Sequence, residues 1–511
     1  MARLLFLAAC LSPASASDVF SSPEASVSAV RAQYEQFSYP MDDSGLDTGA
    51  VPSQYLWMSL PALNHHAWGG RRNTFDGLRV LIAGCGTGAQ VLGFAHLLAA
   101  YKGTHVAGVD LAPRSIAITK RRLARYGLDD KGVSLRAASL LAVGGDEPYD
   151  VIVCTGVLHH LPDPAEGLRV LRSVLKPDGA MVLMVYGAAA RVGVYQMQDL
   201  MQILTPNLSL EAKLDQLKQL DANMPPTNVL RRTLWPRPLT DLPDVELVDL
   251  ILHRQDRAYT VPEFYDFVDA ANLTIALWEP EVRAKLERPL PSGVGAGLGG
   301  EALNAANELI FGDVRMLKAL VLPRGAPTPP SVRDARNMVV LNHVLPAGLD
   351  SVAHQLDKCA AAETCDVSQL TVPRGMRVPG PGRKRGEFFD VGGRPLEVPL
   401  PRGPPELRAV LAAVLREVDG KRTTSAALRR ARAAVWRGPH AAQLADLADF
   451  DSVALALLAG FYDALQHEDV LVLRRGKSEG ACAADGCAEP ARAADDPEEW
   501  DSVSGQGWGL P

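Results

Sequence analysis

Two adjacent histidines, His159 and His160, follow the apolar run "YDVIVCTGV" and precede "LPDP". An imidazole changes charge near neutral pH, so either ring is a candidate to take a proton from a reacting group. The alternative is that one caps the following loop while the other packs against a ligand without exchanging protons. Tyr34 and Tyr39, in "VRAQYEQFSYP", are candidates for a lid that keeps water from such a reaction, or for a strap packed on the fold. Further upstream of the histidines, "RVLIAGCGTGAQVLGFAHLLA" sets Gly84, Gly86 and Gly88 between an apolar run and a helical pattern. Glycine allows a tight turn there and lets a ligand lie against bare backbone, facing the N–H groups that open the next helix. Asp110 ends the next apolar run, beside the same turn. A carboxylate so placed accepts hydrogen bonds from the 2′- and 3′-hydroxyls of a ribose. These residues point to an adenosine-like ligand next to a group able to move a proton.

The elements that must position them alternate regularly. Arg79–Ala83, His105–Asp110, Val133–Arg136, Asp150–Thr155 and Ala180–Tyr186 read as strands. Gln90–Tyr101, Ser115–Tyr126 and Pro164–Val174 read as helices, the last with Pro164 in its first turn, where a missing N–H costs nothing. Continuous apolar strands separated by amphipathic helices predict a mostly parallel, doubly wound α/β sheet covered on both faces. Leu273–Trp278 and Leu317–Leu322 are two further strand candidates. The organisation expected is a targeting segment over 1–17, a lid or strap over 26–76 and an α/β domain over 77–324. A Pro/Gly-rich linker over 325–403, a small helical domain over 404–475 and an acidic disordered tail over 476–511 follow.

Composition excludes some roles. The chain has 511 residues, 47% hydrophobic and 22% charged, with a formal net charge of −7. That balance predicts no nucleic-acid partner. The run Arg383-Lys384-Arg385 lies among Gly and Pro and reads as a solvated linker. No segment reaches the ~20 apolar residues that a membrane-spanning helix needs. "MARLLFLAACLSPASASDVF" combines Arg3, an apolar run and Ala14-Ser15-Ala16, the layout of a secretory-type or organelle-targeting signal. Cys85 and Cys154 fall in core patterns. Cys359 with Cys365, and Cys482 with Cys487, are close pairs whose spacing is not the usual zinc knuckle, so no metal is expected.

Two cofactors fit the glycine turn, a nicotinamide dinucleotide and S-adenosylmethionine, and later residues separate them. "YDVIVCTGVLHHLPDPAEGLRVLRSVLKPDGAMVLMVYG", with "IAGCGTG" and "GVDLAPRSI", resembles class I S-adenosylmethionine-dependent methyltransferases across three motifs in order. The resemblance narrows, through "QYEQFSYP", "GVYQMQDLM", "MPPTN" and "HRQDRAYTVPEFYDFVDAANL", to a group of uncharacterised, mainly bacterial methyltransferases with a "YExFPYP" lead-in. Here Ser38 stands where the usual Pro would be. The likeness spans about Val30 to Pro323. It implies a Rossmann-like methyltransferase fold, S-adenosylmethionine as cofactor, and cofactor contacts from Gly84, Cys85, Gly86, Gly88, Asp110, Leu111, Ser139, Thr155, Gly156 and Val157. Ser139 departs from the family, which commonly has an Asp there for the adenine amino group; a hydroxyl accepts that bond more weakly.

Methyl transfer to an unidentified acceptor, expected to be a small molecule, is the function this implies. A non-catalytic S-adenosylmethionine-binding regulatory or scaffold protein is the alternative. Tyr195, Gln196, Gln198 and Asp199, with His253, Asp256, Arg257 and Tyr259, are further wall candidates, and Arg257 beside Asp256 is expected to brace two elements. Val418 to Arg475 resembles small winged-helix-type accessory domains, with Arg429, Arg430 and Arg432 on a solvated face.

Overall fold

The computed structural model describes residues 22–40, 46–47 and 56–327, with breaks at 73, 130–131, 234–237, 292–293 and 296. Beyond these it describes residue 329 and the segments 338–341, 353–354, 356–357, 369–372, 375–377, 388–390, 396–399, 405–418, 424–437, 450–465 and 471–474. The targeting-type segment 1–17, both close cysteine pairs, Arg383-Lys384-Arg385 and the tail 476–511 lie outside the described residues. Two compact units result, one of Met1–Trp57 with Phe75–Ala326, the other of Met58–Thr74 with Pro327–Pro511.

In the first unit, helix α1 (Pro23–Gln36) starts at Ser22, whose hydroxyl accepts from the Ala25 N–H. Helix α2 (Leu60–Trp68) falls within the span expected for the strap but groups with the second unit, where it buries Leu60, Leu63 and Trp68. The sheet then begins. Strand β1 (Arg79–Ala83) is buried from Val80 onward because both of its faces are covered. It pairs in parallel with β2 (His105–Asp110) and with β4 (Tyr149–Thr155). Outward from these lie β3 (Val133–Ala137) on one side and β5 (Leu175–Gly187) on the other, both parallel.

Ala180–Tyr186 thus forms part of a longer strand than the sequence suggests. Leu175 is buried and pairs with Tyr149, so the "KPDG" stretch becomes an irregularity inside β5 rather than a turn before it. Strand β6 (Ala258–Tyr259) pairs with the end of β5, and β8 (Met316–Pro323) runs antiparallel between β5 and β7 (Leu273–Trp278). The order is β3-β2-β1-β4-β5-β8-β7. The chain reverses its direction of growth between β1 and β4, and ligands of such sheets bind outside the carboxyl ends of the strands at that point.

Helices α3 (Ala89–Leu98), α4 (Pro113–Arg125) and α5 (Pro164–Ser173) cover the faces. Helix α4 turns Ile116, Thr119 and Leu123 inward and leaves Lys120, Arg121 and Arg125 in water, as its 3.6-residue period dictates. After β5 come α6 (Ala188–Leu204), α7 (Leu210–Ala222), α8 (Val229–Thr233) and α9 (Asp244–Ile251). They close a second apolar core around Val194, Met197, Met201, Leu217, Leu230 and Leu247. Fully burying each such side chain contributes about 1.5–3 kcal/mol. Helices α10 (Val261–Ala270), α11 (Pro280–Leu286) and α12 (Gly300–Phe311) complete the unit; Thr260 and Glu263 form a reciprocal cap at the start of α10. No helix among the described residues is long and apolar enough to cross a membrane.

In the second unit, α13 (Pro405–Arg416), α14 (Thr424–Val435) and α15 (Phe450–Leu465) pack on one another. The stretch expected to be linker carries strands: β9 (Met338–Leu341), β10 (Gln369–Val372), β11 (Gly375–Arg377), β12 (Phe388–Asp390) and β13 (Leu396–Pro399). β9 pairs antiparallel with β14 (Leu471–Arg474), β10 with β13, and β11 with β12. On the basic face of α14, Arg430 pairs with Glu417 and Arg432 with Asp451.

Candidate functional site

Two polar clusters meet at the carboxyl ends of the strands. The first is built on the β1 turn. The N–H groups of Gly84 and Cys85 both reach the Val109 carbonyl, at 2.8 and 3.0 Å, which ties the turn to β2. Gly84 has φ +76°, and a Cβ there would stand 2.2 Å from Val157 Cγ2. At Gly86 (φ +50°) a Cβ would stand 2.6 Å from the Tyr39 carbonyl oxygen. Only glycine fits either position.

Asp110 leaves β2 as expected and braces this turn. Its Oδ2 accepts from the Gly86 N–H at 2.8 Å and its Oδ1 from the Ala112 N–H at 2.9 Å. Burial raises its pKa, the two backbone hydrogen bonds oppose the rise, and the negative charge of Glu35 adds to it. A carboxylate offers about four lone-pair positions. Two are taken by backbone, and two remain for a vicinal diol, so the residues present fit the ribose of an adenosine cofactor. Thr155 at the end of β4 bonds to Gln90, and a Cβ on Gly156 would meet only Met184 Cε, at 3.6 Å. The Ser139 hydroxyl caps the one-turn helix Leu140–Val143 by accepting from the Leu141 N–H, which leaves its second lone pair and its O–H for another partner.

The lead-in crosses directly over the turn. The Pro40 carbonyl accepts from the Thr87 hydroxyl at 2.8 Å, and Glu35 accepts from the Arg114 N–H at 3.1 Å. Farther along, Asp47 forms a two-pronged pair with Arg122, whose other nitrogen donates to the Thr87 carbonyl. Strap and turn are one hydrogen-bonded assembly.

The second cluster gathers residues from four distant segments. The Tyr34 hydroxyl donates to Asp249 Oδ1 at 3.1 Å and stands 3.0 Å from His253 Nε2. From β5, the Tyr186 hydroxyl donates to Asp249 Oδ2 at 3.1 Å. His160 Nδ1 lies 2.7 Å from the Gln255 carbonyl, and the Gln255 N–H donates to His253 Nδ1 at 3.0 Å. The rings of His160 and His253 stack 3.8 Å apart. Tyr39, by contrast, reaches Glu246 at 3.4 Å.

His159 and His160 therefore have different surroundings. His159 is completely buried against Tyr186, with centroids 4.0 Å apart, and neither ring nitrogen has a hydrogen-bond partner among the described residues. Burial, aided by nearby His160, Arg191 and His253, holds its pKa well below the ordinary value. His253 is held neutral in the same way, mainly by burial. For Asp249, burial outweighs the two phenol hydrogen bonds and raises the carboxyl pKa.

A buried ion pair supports this cluster. Arg191 of α6 meets Asp256 at 2.8 Å, and Gln198 and Tyr195 also donate to that carboxylate. The bracing expected from Arg257 comes from Arg191 instead. Arg257 pairs weakly with Glu263 at 3.7 Å on the surface, because adjacent side chains on this extended segment face opposite ways. Sequence reasoning missed Asp249, Tyr186 and Arg191, which sit inside apolar helix and strand patterns and carry no local motif.

Comparison with known proteins bears on the first cluster most directly. Residues 81–181 match the family model described as a methyltransferase domain. An uncharacterised protein from Synechococcus is 28% identical over 270 residues, covering 51% of this chain and 63% of that protein. A ubiquinone biosynthesis O-methyltransferase from Cereibacter sphaeroides is 37% identical over 108 residues, 21% of this chain and 41% of that protein. The chain thus spans less than two thirds of the length of these curated relatives. Among solved structures, PKMT2 from Rickettsia typhi shares the fold with a TM-score of 0.53 at 15% identity, covering 82% of this chain and 75% of that one. The same protein has been solved in complex with AdoHcy.

Proposed function

We propose, from the class I S-adenosylmethionine-dependent methyltransferase domain that this chain carries, that it transfers a methyl group to a small-molecule acceptor whose identity is open. The observation that carries the reading is Asp110, a buried carboxylate locked by two backbone N–H groups beside a glycine turn, with lone pairs left for a ribose. Gly84, Gly86 and the end of β4 at Thr155, Gly156 and Val157 would hold the rest of the cofactor. When bound, S-adenosylmethionine supplies an electrophilic methyl carbon whose bonding pair stays with sulfur as the acceptor's lone pair replaces it.

This chain's own residues do the remaining work. The strap from Tyr34 to Pro40 lies against the turn and excludes water, which helps because positioning provides much of the acceleration in such a displacement. Likeness to an O-methyltransferase of ubiquinone biosynthesis supports a small-molecule acceptor, through the residues on the cofactor side. The layout of Met1–Ser17 supports delivery to an organelle or the secretory route, and a fluorescent fusion to residues 1–40 that stays diffuse in the cytosol would exclude it.

Calorimetry with S-adenosylmethionine and S-adenosylhomocysteine tests the binding. Asp110→Ala is expected to weaken both about 100-fold, since two charge-assisted hydrogen bonds are lost. Mass spectrometry of a metabolite extract incubated with isotopically labelled cofactor tests transfer. Binding with no labelled product from any extract would instead favour a non-catalytic cofactor-binding protein.

A further inference from the structure

His159 is costly as it stands. It is fully buried, and neither ring nitrogen has a hydrogen-bond partner among the described residues. Polar atoms buried without partners destabilise a fold. Burial holds the imidazole neutral, so one of its nitrogens carries a lone pair that no hydrogen meets. A phenyl ring would pack on Tyr186 equally well without that cost, so packing alone does not account for a histidine here. Its neighbour His160 is also turned inward, from the same one-turn helix Leu158–His160.

Two sets of three side chains share His160. Ligand-type atoms of His159, His160 and Asp256 lie within 4.8 Å of one another, and so do those of His160, Asp249 and His253. Hydrogen bonding separates the two sets. The Gln255 N–H donates to His253 Nδ1, so that ring carries its hydrogen on Nε2, 3.0 Å from the Tyr34 oxygen, and has no lone pair to give. Asp249 is already committed to the hydroxyls of Tyr34 and Tyr186. The other set keeps its lone pairs. His160 donates from Nδ1 to the Gln255 carbonyl at 2.7 Å, which leaves the lone pair on Nε2. Among the described residues, Asp256 Oδ1 receives only a long bond from the Tyr195 hydroxyl, at 3.4 Å.

We propose that His159, His160 and Asp256 form a binding site for one divalent transition-metal ion of the zinc type. Two imidazoles and one carboxylate are donors for borderline ions, whereas Mg²⁺ and Ca²⁺ take oxygen ligands. Arg191 sharpens that choice. Its guanidinium lies 2.8 Å from Asp256 Oδ2 and offsets part of the negative charge that a hard cation would depend on. Ligand atoms about 2.0–2.1 Å from a tetrahedral zinc stand about 3.3 Å from one another, so the three atoms need close by at most about 1.5 Å.

The groups around the ligands are those that such a site uses to orient them. A ligating histidine commonly gives its other N–H to a backbone carbonyl, as His160 does to Gln255, and a ligating carboxylate is itself hydrogen-bonded, as Asp256 is by Arg191 and Gln198. The ion joins the end of β4 to the segment after α9 and takes up a lone pair of His159 that the protein leaves unused. Three protein ligands leave one tetrahedral position, which a water fills. None of this depends on methyl transfer, so the site would hold equally in a non-catalytic protein.

Titration of the chelator-stripped full chain with Zn²⁺, and X-ray absorption at the zinc edge, test this. One ion per chain with sub-micromolar affinity is expected, in a shell of nitrogen and oxygen at about 2.0–2.1 Å that includes two imidazoles and no sulfur. His159→Phe, which keeps the packing on Tyr186, should weaken the affinity about 100-fold, and His160→Gln should act in the same direction. Mg²⁺ in excess should not displace the zinc. A wild type that retains no zinc, its space held by an ordered water only, overturns the proposal. A shell containing sulfur overturns it too, since the ion would then sit on cysteines, and so does an affinity that His159→Phe leaves unchanged. Displacement by Mg²⁺ overturns the class of ion. Should either variant fail to fold, the other variant and the wild-type spectrum still decide, because fewer than two imidazoles in the shell is incompatible with this site.

Discussion

The two clusters at the carboxyl ends of the strands are built by opposite means. The side proposed for the cofactor is mostly backbone: three glycines, paired N–H groups and the single carboxylate of Asp110, all within the 29 residues from Gly84 to Ala112. The side proposed for the acceptor is mostly side chain: Tyr34, His160, Tyr186, Asp249 and His253 come from positions up to 219 residues apart. A backbone site is fixed by where strands end and where glycine permits a turn. A side-chain site is fixed only when distant elements have packed, and each of its polar groups must find a partner or cost stability. The first can be kept while the second is remade, which is how one fold serves many acceptors.

The largest test of this contrast removes the pillar of the acceptor side. Arg191→Ala leaves Asp256 charged, fully buried and dependent on Tyr195 and Gln198. A loss of about 3–5 kcal/mol is expected from breaking such a pair, read by chemical denaturation. Cofactor affinity should change little. If it falls as far as in Asp110→Ala, the two sides are not separable.

Next in size is the converse substitution, Gly86→Ala. The left-handed backbone costs an alanine about 1–2 kcal/mol, and the new methyl must push the Tyr39 carbonyl away from 2.6 Å. A total near 2–3 kcal/mol is expected, together with faster amide hydrogen exchange at residues 37–39. An unchanged exchange rate there would mean that the strap does not rest on the turn.

The contrast also explains what could be read in advance. The strands through Ala83, Asp110 and Thr155 were legible because a doubly covered strand must be apolar along its whole length. The glycine turn and Asp110 were legible because ligand chemistry demands those types at those places. His160 was legible as a candidate but not separable from His159, since the difference lies in the Gln255 backbone, 95 residues away. Asp249 was hidden inside "DVELVDLI", where an acidic residue on a helix ordinarily faces water. Strands in 338–399 were obscured by Pro and Gly, which punctuate short strands as readily as linkers.

Acid should strike the two sides unequally. His159 and His253 have folded-state pKa values held well below the ordinary value, chiefly by burial, so the unfolded chain takes up their protons first. Stability from these groups is present above about pH 6.5 and is lost as pH falls. The raised pKa of Asp249 acts in the other direction, since its burial favours the protonated form, but only nearer the carboxylate range. His159→Phe keeps the aromatic packing on Tyr186 and removes both unpartnered nitrogens, so its stability should vary less between pH 7 and pH 5 than that of the wild type. Equal slopes in denaturation at the two pH values would contradict the burial of a neutral His159.

Tyr34→Phe is the smallest change and the most telling about how the sides are joined. Tyr34 and Glu35 are neighbours in α1, yet the Tyr34 hydroxyl serves Asp249 while Glu35 holds the Arg114 N–H on the cofactor side. Removing one hydroxyl leaves His253 Nε2–H without its oxygen and Asp249 with Tyr186 alone among these donors. Because Tyr34 is only half-buried, water can replace part of what is lost, and a cost of about 1 kcal/mol follows. That corresponds to a fall of about 2–4 °C in melting temperature. The strap would remain tied to the turn through Glu35 and Pro40, so cofactor affinity should stay within about twofold, a difference under 0.5 kcal/mol. A tenfold loss of affinity from this single hydroxyl would show the strap to be one cooperative latch across both sites, and the division between a backbone-built and a side-chain-built half would have to be given up.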